Sequence, residues 1–264
     1  MKTLRLTRKN LCIPYALFLV LFVVLPLVVL FYYAFTNGSG QFTLANLTAF
    51  FTNPMTLGTL FYSLAIAAVT TVVCLLLAYP VAYILATSRL KTRGTIVMIF
   101  IMPMWINFTL RLTALKEILT FLEGNLAMYP FLNSVIGMTY DFLPFMILPI
   151  YNTLTKIDPA LLEAAADLGA DPVRAFFRVT FPLSMPGVMS GVSMVFLPAM
   201  TNYVVLDMLY NSTYIMGSLI GSYFSAYNWN GGSMIALILL AIICLFTLLT
   251  GTDDENAQRG GALL

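Results

Sequence analysis

Few residues in this sequence have side chains that could do chemistry. The 264 residues include 11 acidic and 13 basic side chains, 3 cysteines and no histidine. Four of the acidic and two of the basic residues fall in one stretch, 157 to 187, IDPALLEAAADLGADPVRAFFRVTFPLSMPG. Asp158-Pro159 and Asp171-Pro172 read there as helix starts, because an aspartate accepts from free backbone N–H groups and proline suits the first helical position. They predict two short helices, about 159 to 168 ending at Gly169, and about 172 to 181 stopped by Pro182. On the first, Leu161, Leu162, Ala165 and Leu168 form an apolar stripe, with Glu163 and Asp167 one turn apart on another face. On the second, Phe176, Phe177 and Phe181 supply bulk, and Arg174 and Arg178 lie one turn apart. The small side chains at 164 to 166 let a helix sink into a groove on another protein, where Glu163 would meet a basic or hydroxyl group. This is docking chemistry. The same spacing also suits a helical hairpin lying on lipid headgroups.

Other chemistries lack their residues. Cys12, Cys74 and Cys244 sit in apolar runs, without metal-ligand spacing and without histidine, and read as core packing. No metal site and no catalytic residue is expected. There is no GxxxxGK[ST] loop, so the chain is not expected to hold ATP itself. A net charge of +2 without a basic, aromatic-bearing face argues against nucleic acid.

The elements that must position this stretch are membrane helices. Hydrophobic residues make up 60% of the chain and charged residues 9%, far from the balance of soluble domains. An all-α integral membrane protein follows, since the apolar runs have spanning length and alternating strands are absent. Six spans are predicted, at about 11–35, 57–86, 95–115, 131–154, 188–209 and 233–250. The first run is too long for the apolar core of a signal peptide, so a retained helix is expected. Pro26, Pro80, Pro103, Pro144, Pro149 and Pro198 lie inside these runs, a density that suits a channel or carrier.

Lys2, Arg5, Arg8 and Lys9 precede the first span, Arg89, Lys91 and Arg93 follow the second, and Lys156, Arg174 and Arg178 accompany the polar stretch. Residues 36–56 and 210–232 contain no Lys or Arg, although Arg111 and Lys116 lie near the outer end of the third span. Basic residues stay on the cytoplasmic side, so both termini and the polar stretch are expected there. In the first outer loop Thr43 is placed to cap a short helix. Residues 251–264, GTDDENAQRGGALL, read as a flexible cytoplasmic tail with Arg259 as its only basic residue.

The stretch EAAADLGADPVRAFFRVTFP resembles the EAA loop of bacterial ABC importer permeases. Glu163, Ala164, Ala165, Gly169, Val179, Phe181 and Pro182 fall on its pattern. The closing pair, usually Ile and Leu, is here Val179 and Phe181, so local packing differs. LPFMILPIYNTLTKIDPALLEAAADLGA at 143–170, IMPMWINFTLRLTALKEIL at 101–119, and LPAM at 197–200 with Asp207 downstream are similar to the PotB-type permeases of spermidine/putrescine importers. Permeases for thiamine, iron or phosphonate share much of this pattern. The resemblance implies a type I ABC importer permease fold, with the loop as a coupling helix in the cleft of a cytoplasmic ATPase. Glu163, Ala164, Ala165, Gly169, Asp171 and Pro172 would carry the coupling. It further implies a second, homologous permease subunit as heterodimer partner, two copies of an ATPase that hold ATP and Mg, an extracellular or periplasmic polyamine-binding protein, and a place in the bacterial inner or plasma membrane.

A polyamine is polycationic, so its path would need carboxylates against desolvation and aromatic faces for cation–π contacts. The candidates are Asp207 beside Tyr203 and Tyr210, Asp141, and Trp105 and Asn107 after Pro103, with Glu117 and Glu123 behind them. Carboxylates near helix ends could equally be solvated or paired with Arg111 or Lys116. Two other classes predict features that the sequence lacks. An ion-coupled secondary transporter predicts internal repeats, and none is evident. A membrane-embedded enzyme would want a catalytic cluster, which the lack of histidine disfavours.

Overall fold

A computed structural model describes residues 8–88 and 92–260, with backbone alone at 8–12 and 251–260. Lys2, Arg5, Arg89, Lys91 and the last four residues lie outside the described residues, as do the side chains of Arg8, Lys9, Cys12 and Arg259. Apart from an isolated bridge between Thr36 and Phe42, the regular elements described are all helical. In chain order they are α1 (8–34, with a π turn Val20–Val24), α2 (Ala45–Thr52), α3 (Pro54–Thr87), α4 (Arg93–Trp105), α5 (Phe108–Glu123), α6 (Pro130–Leu154), α7 (Pro159–Asp167), α8 (Pro172–Ala199, with a π turn Phe176–Thr180), α9 (Tyr203–Met208), α10 (Met216–Ser225) and α11 (Trp229–Gly260).

Five of these, α1, α3, α6, α8 and α11, are long and apolar enough to cross a bilayer, and α4 with α5 makes a sixth if the pair is one span. The first, second and fourth spans fall within a few residues of their expected ends. The third does not: in place of one helix at 95–115, α4 and α5 meet at 96°. Pro103 sits in a closing 3-10 turn, Met102–Trp105, and Asn107 Oδ1 then accepts from the Thr109 N–H at 2.9 Å, starting a new helix in a new direction.

The fifth span is also displaced, running from Pro172 to Ala199 in place of 188–209. Pro182 does not stop the helix, contrary to the sequence expectation, and the second short helix is simply the first turns of α8. The reason is the π turn Phe176–Thr180. A proline ring clashes with the carbonyl four residues back, and a wider turn there relieves the clash. The other π turn, Val20–Val24, stands in the same relation to Pro26. The last helix begins at Trp229 and continues past Thr250 to Gly260, so most of the expected flexible tail is helical in backbone. Cys74 is buried, as expected, but Cys244 is exposed on α11, because a membrane helix offers an apolar surface to lipid as well as to its neighbours.

The chain divides into two compact units. One comprises the residues up to Gly58 with Ser218–Ile242. In it the C-terminal carbonyls of α1 are satisfied by asparagines: Asn46 Nδ2 donates to Ala34 O and Thr36 O at 2.9 and 3.0 Å, and Asn230 Nδ2 to Tyr33 O and Thr36 O at 2.9 and 2.7 Å. The N-cap position of α2 is Leu44 and has no side-chain cap, contrary to the expectation for Thr43, which stands one residue earlier and accepts from the Ala45 N–H at 3.1 Å in a local turn.

The other unit comprises Thr59–Gly217 with the residues from Ile243 on. Its most extensive helix contact is α6 against α8. Gly187 and Gly191, one turn apart on α8, allow it: a Cβ at Gly187 would lie 2.7 Å from Pro149 O, and one at Gly191 2.6 Å from Met146 Sδ. Small residues at this spacing bring membrane helices backbone to backbone. Tyr79 of α3 joins α8 through a 2.9 Å hydrogen bond between its hydroxyl and Ser184 Oγ. Phe176 packs its ring on Tyr79 and Tyr83, at centroid distances of 5.8 and 5.2 Å. The bent α5 is tied to α6 by an ion pair, Arg111 Nη2 to Asp141 Oδ1 at 2.7 Å, with both side chains about nine-tenths buried.

Thermal unfolding in detergent checks this packing. Gly187→Ala forces a Cβ onto a backbone carbonyl and should lose about 1–3 kcal/mol. Gly58→Ala, with open space around it, should be near neutral. Asp141→Asn leaves a buried guanidinium unpaired and should lose about 3–5 kcal/mol, whereas the double change Arg111→Met with Asp141→Leu should regain most of that loss.

Candidate coupling helix and solute path

The helix between α6 and α8 is built by its ends. Asp158 Oδ1 accepts from the Ala160 N–H at 2.9 Å. At the other end Gly169 takes φ +79, and the N–H groups of Gly169 and Ala170 donate to Ala166 O and Ala165 O at 2.9 and 3.0 Å. That pair of bonds is a Schellman closure, which needs the left-handed residue that glycine supplies without strain. Asp171 Oδ1 then accepts from the Arg174 N–H at 2.7 Å and starts α8. One Asp-Pro start therefore opens α7 and the other opens the fifth span.

None of the residues of α7 is buried. Glu163, Ala164, Gly169, Asp171 and Pro172 are exposed, and Ala165 is half-buried. Leu168, from the apolar stripe, is 88% exposed, so this chain leaves part of the stripe uncovered. Behind α7 lies a cavity of about 500 Å³, lined among others by Ala86 and Thr87 of α3, Leu154 and Thr155 at the end of α6, and Pro159 and Leu162. The helix is thus closed at both ends by local hydrogen bonds, held by short links to α6 and α8, and not packed solidly from behind.

The residues assigned from sequence to a solute path separate into three places. Trp105 and Asn107 flank the break between α4 and α5; Trp105 is 80% exposed, and Asn107 spends its carbonyl on the cap of α5. No hydrogen bond or ring contact among the described residues joins them to the other candidates. Asp141 is buried in α6 and bound to Arg111, whose Nε and Nη1 find no hydrogen-bond partner among the described residues. Glu123 accepts from Asn133 Nδ2 at 2.9 Å, and Glu117 is exposed.

The third place is α9. Asp207, expected in the fifth span at 188–209, lies instead on this short helix after a break at 200–202. Val205, Leu206 and Leu209 are buried, and Gly137 of α6 gives Val205 and Leu209 their close approach. Docking this face leaves Tyr203 and Asp207 exposed. Asp207 lines an open cavity of about 350 Å³ with Tyr210, Asn211 and Ser212. Lys116 of α5 holds its Nζ over the Tyr210 ring, 4.1 Å from the centroid. Asn211, which sequence reasoning missed, anchors this corner: it is buried, and its Nδ2 donates to Tyr62 Oη at 2.8 Å and Ser134 Oγ at 2.9 Å. An Asn-Ser-Thr run in a loop gives no hint of that. The spacing of Gly187 and Gly191 is a signal that the sequence itself carries.

Comparison with known proteins agrees with this architecture. Residues 78–252 match the family described as binding-protein-dependent transport system inner membrane component. The chain is 33% identical over 249 residues to the spermidine/putrescine transport system permease protein PotB of Haemophilus influenzae, covering 86% of this chain and 87% of that one. It is 32% identical over 252 residues to PotB of Escherichia coli strain K12, covering 87% and 91% respectively. Among solved structures, a chain of a bacterial alginate ABC transporter, in complex with an alginate pentasaccharide-bound periplasmic protein, superposes with a TM-score of 0.72 over 92% of this chain and 91% of that one. At 12% identity this likeness speaks for the fold. With two long helices packed backbone to backbone, an exposed helix between them and a family match over most of its length, the chain has the type I ABC importer permease fold and belongs to the binding-protein-dependent transport system inner membrane components.

Proposed function

We propose that this chain is one permease subunit of an ATP-driven importer for polyamines, and that α7 is the element through which a cytoplasmic ATPase drives it. The observation that carries the reading is α7 itself. It is a doubly capped helix that buries none of its residues, joined by short links to the two most closely packed membrane helices. A helix so placed in a membrane protein suits a partner that grips it. Moving it would tilt α6 and α8 together, because Gly187 and Gly191 hold them backbone to backbone.

In this reading Glu163, Ala164 and Ala165 face the ATPase cleft, and Gly169, Asp171 and Pro172 shape the helix. The retention of Lys156, Arg174 and Arg178 on the α7 side supports a cytoplasmic α7 and cytoplasmic termini. ATP and Mg belong to the ATPase, present in two copies; a homologous permease completes the membrane passage, and a polyamine-binding protein delivers the solute from outside. Polyamine as solute is supported by the names of the relatives and by the exposed Asp207 beside aromatic Tyr203 and Tyr210.

Both halves of the reading are testable in the assembled importer. Glu163→Arg reverses an exposed charge without touching a buried contact, so the chain should insert normally while ATPase recovered on purification falls about tenfold or more, a loss of about 1.4 kcal/mol. Unchanged recovery of the ATPase would remove α7 as the socket. Asp207→Asn should lower spermidine and putrescine uptake about two- to fivefold and leave assembly intact. Uptake equal to wild type would take Asp207 off the path, and uptake of labelled thiamine in place of either polyamine would reassign the solute.

A further inference from the structure

Lys116 sits where a cationic solute would want to sit. Its Nζ lies 4.1 Å from the centroid of the Tyr210 ring, the distance of a cation–π contact. The ring stands beside Asp207 on the wall of an open cavity of about 350 Å³. Among the described residues neither Lys116 nor Asp207 has an ion-pair partner; the two ion pairs present are Arg111 with Asp141 and Arg174 with Asp171. A lysine with no carboxylate, laid over an aromatic face next to a free carboxylate, occupies the aromatic half of an ammonium site and leaves the acidic half open.

The backbone under the ring is strained to hold it there. Tyr210 has φ +57, and it closes α9 as Gly169 closes α7, with its own N–H and that of Asn211 donating to Asp207 O and Leu206 O at 3.4 and 2.9 Å. Glycine would fill this position without strain, whereas a tyrosine in the left-handed region is uncommon. Asn211, the next residue, is fixed by Tyr62 and Ser134, so the ring is presented from a rigid corner.

We infer that Lys116 is a tethered stand-in for the solute's ammonium, covering the face of Tyr210 when the path is empty and yielding it to a cationic group that also engages Asp207. This rests on the polyamine reading above and extends it: Lys116 sets how strongly a cation must bind to enter this corner, and a neutral or anionic solute would gain nothing from displacing it. The ordinary alternative is a staple between α5 and α9, and the two differ in sign. Removing a staple loosens the corner and weakens solute binding; removing a competitor strengthens it.

The test uses the purified importer complex, without its binding protein so that affinity reports the membrane path, and labelled spermidine as probe. Uptake by the complete wild-type system is measured alongside. Lys116→Met should tighten the equilibrium Kd about two- to fivefold. In a Tyr210→Leu background the same change should have no effect on Kd, because the contested face is gone. A Kd unchanged or weakened by Lys116→Met, a gain that persists without the Tyr210 ring, or binding undetectable in both forms overturns the stand-in role while wild-type uptake leaves the polyamine reading in place. Absence of polyamine uptake by the wild-type system would overturn that reading, and the stand-in role with it.

Discussion

The close approach of α8 to α6 at Gly187 and Gly191 is the contact on which the rest of the larger unit depends. In lipid, apolar side chains gain little from leaving one solvent for another like it, so helices associate where their backbones can come close and dispersion contacts accumulate. Two glycines one turn apart provide that surface, against Met146, Pro149 and Thr153. The chain leaving α6 and the chain entering α8 are thereby held side by side, and the segment between them has a fixed base. Asp158, Gly169 and Asp171 then need only shape a short helix on that base, which they do through local caps and without burial.

A second constraint is electrostatic and centres on α5. The bend at Asn107 turns this helix so that its two cations meet other elements: Arg111 binds Asp141 of α6, and Lys116 covers Tyr210 after α9. These contacts divide the carboxylates proposed for the solute. Asp141 already has a cation at 2.7 Å in a buried setting, where separating the charges is expensive, and it therefore acts first as a structural partner. Asp207 is exposed and has no ion-pair partner among the described residues, which leaves it available to a solute.

Most of this architecture was legible in the sequence where the signal is local. Apolar run length located the first, second and fourth spans, and Asp-Pro with a following glycine located α7 to within a residue or so, because caps are decided by neighbours in the chain. The misreadings arose where tertiary packing or backbone adjustment decides. Pro182 reads as a stop, yet a π turn carries the helix through it; Pro103 lies inside the run expected to be one span, yet with Asn107 it divides that span at 96°. Asp207 falls within a run that predicts a long fifth helix, because the residues around it are apolar. Their burial serves α9, a separate short helix docked at Gly137. Arg111 and Lys116 were recognised as possible partners for nearby carboxylates, but which partner each takes follows from the bend. Lys116 takes an aromatic ring, which charge pairing alone would not suggest.

In the proposed function this chain passes polyamines inward under power supplied from the α7 side. The most direct measurement is accumulation of labelled spermidine in proteoliposomes holding the complete importer, with the binding protein outside and ATP trapped inside. Accumulation that requires internal ATP and fails with a non-hydrolysable analogue is the result predicted. Accumulation driven by an ion gradient without ATP, or ATP-dependent transport that ignores polyamines, would contradict it.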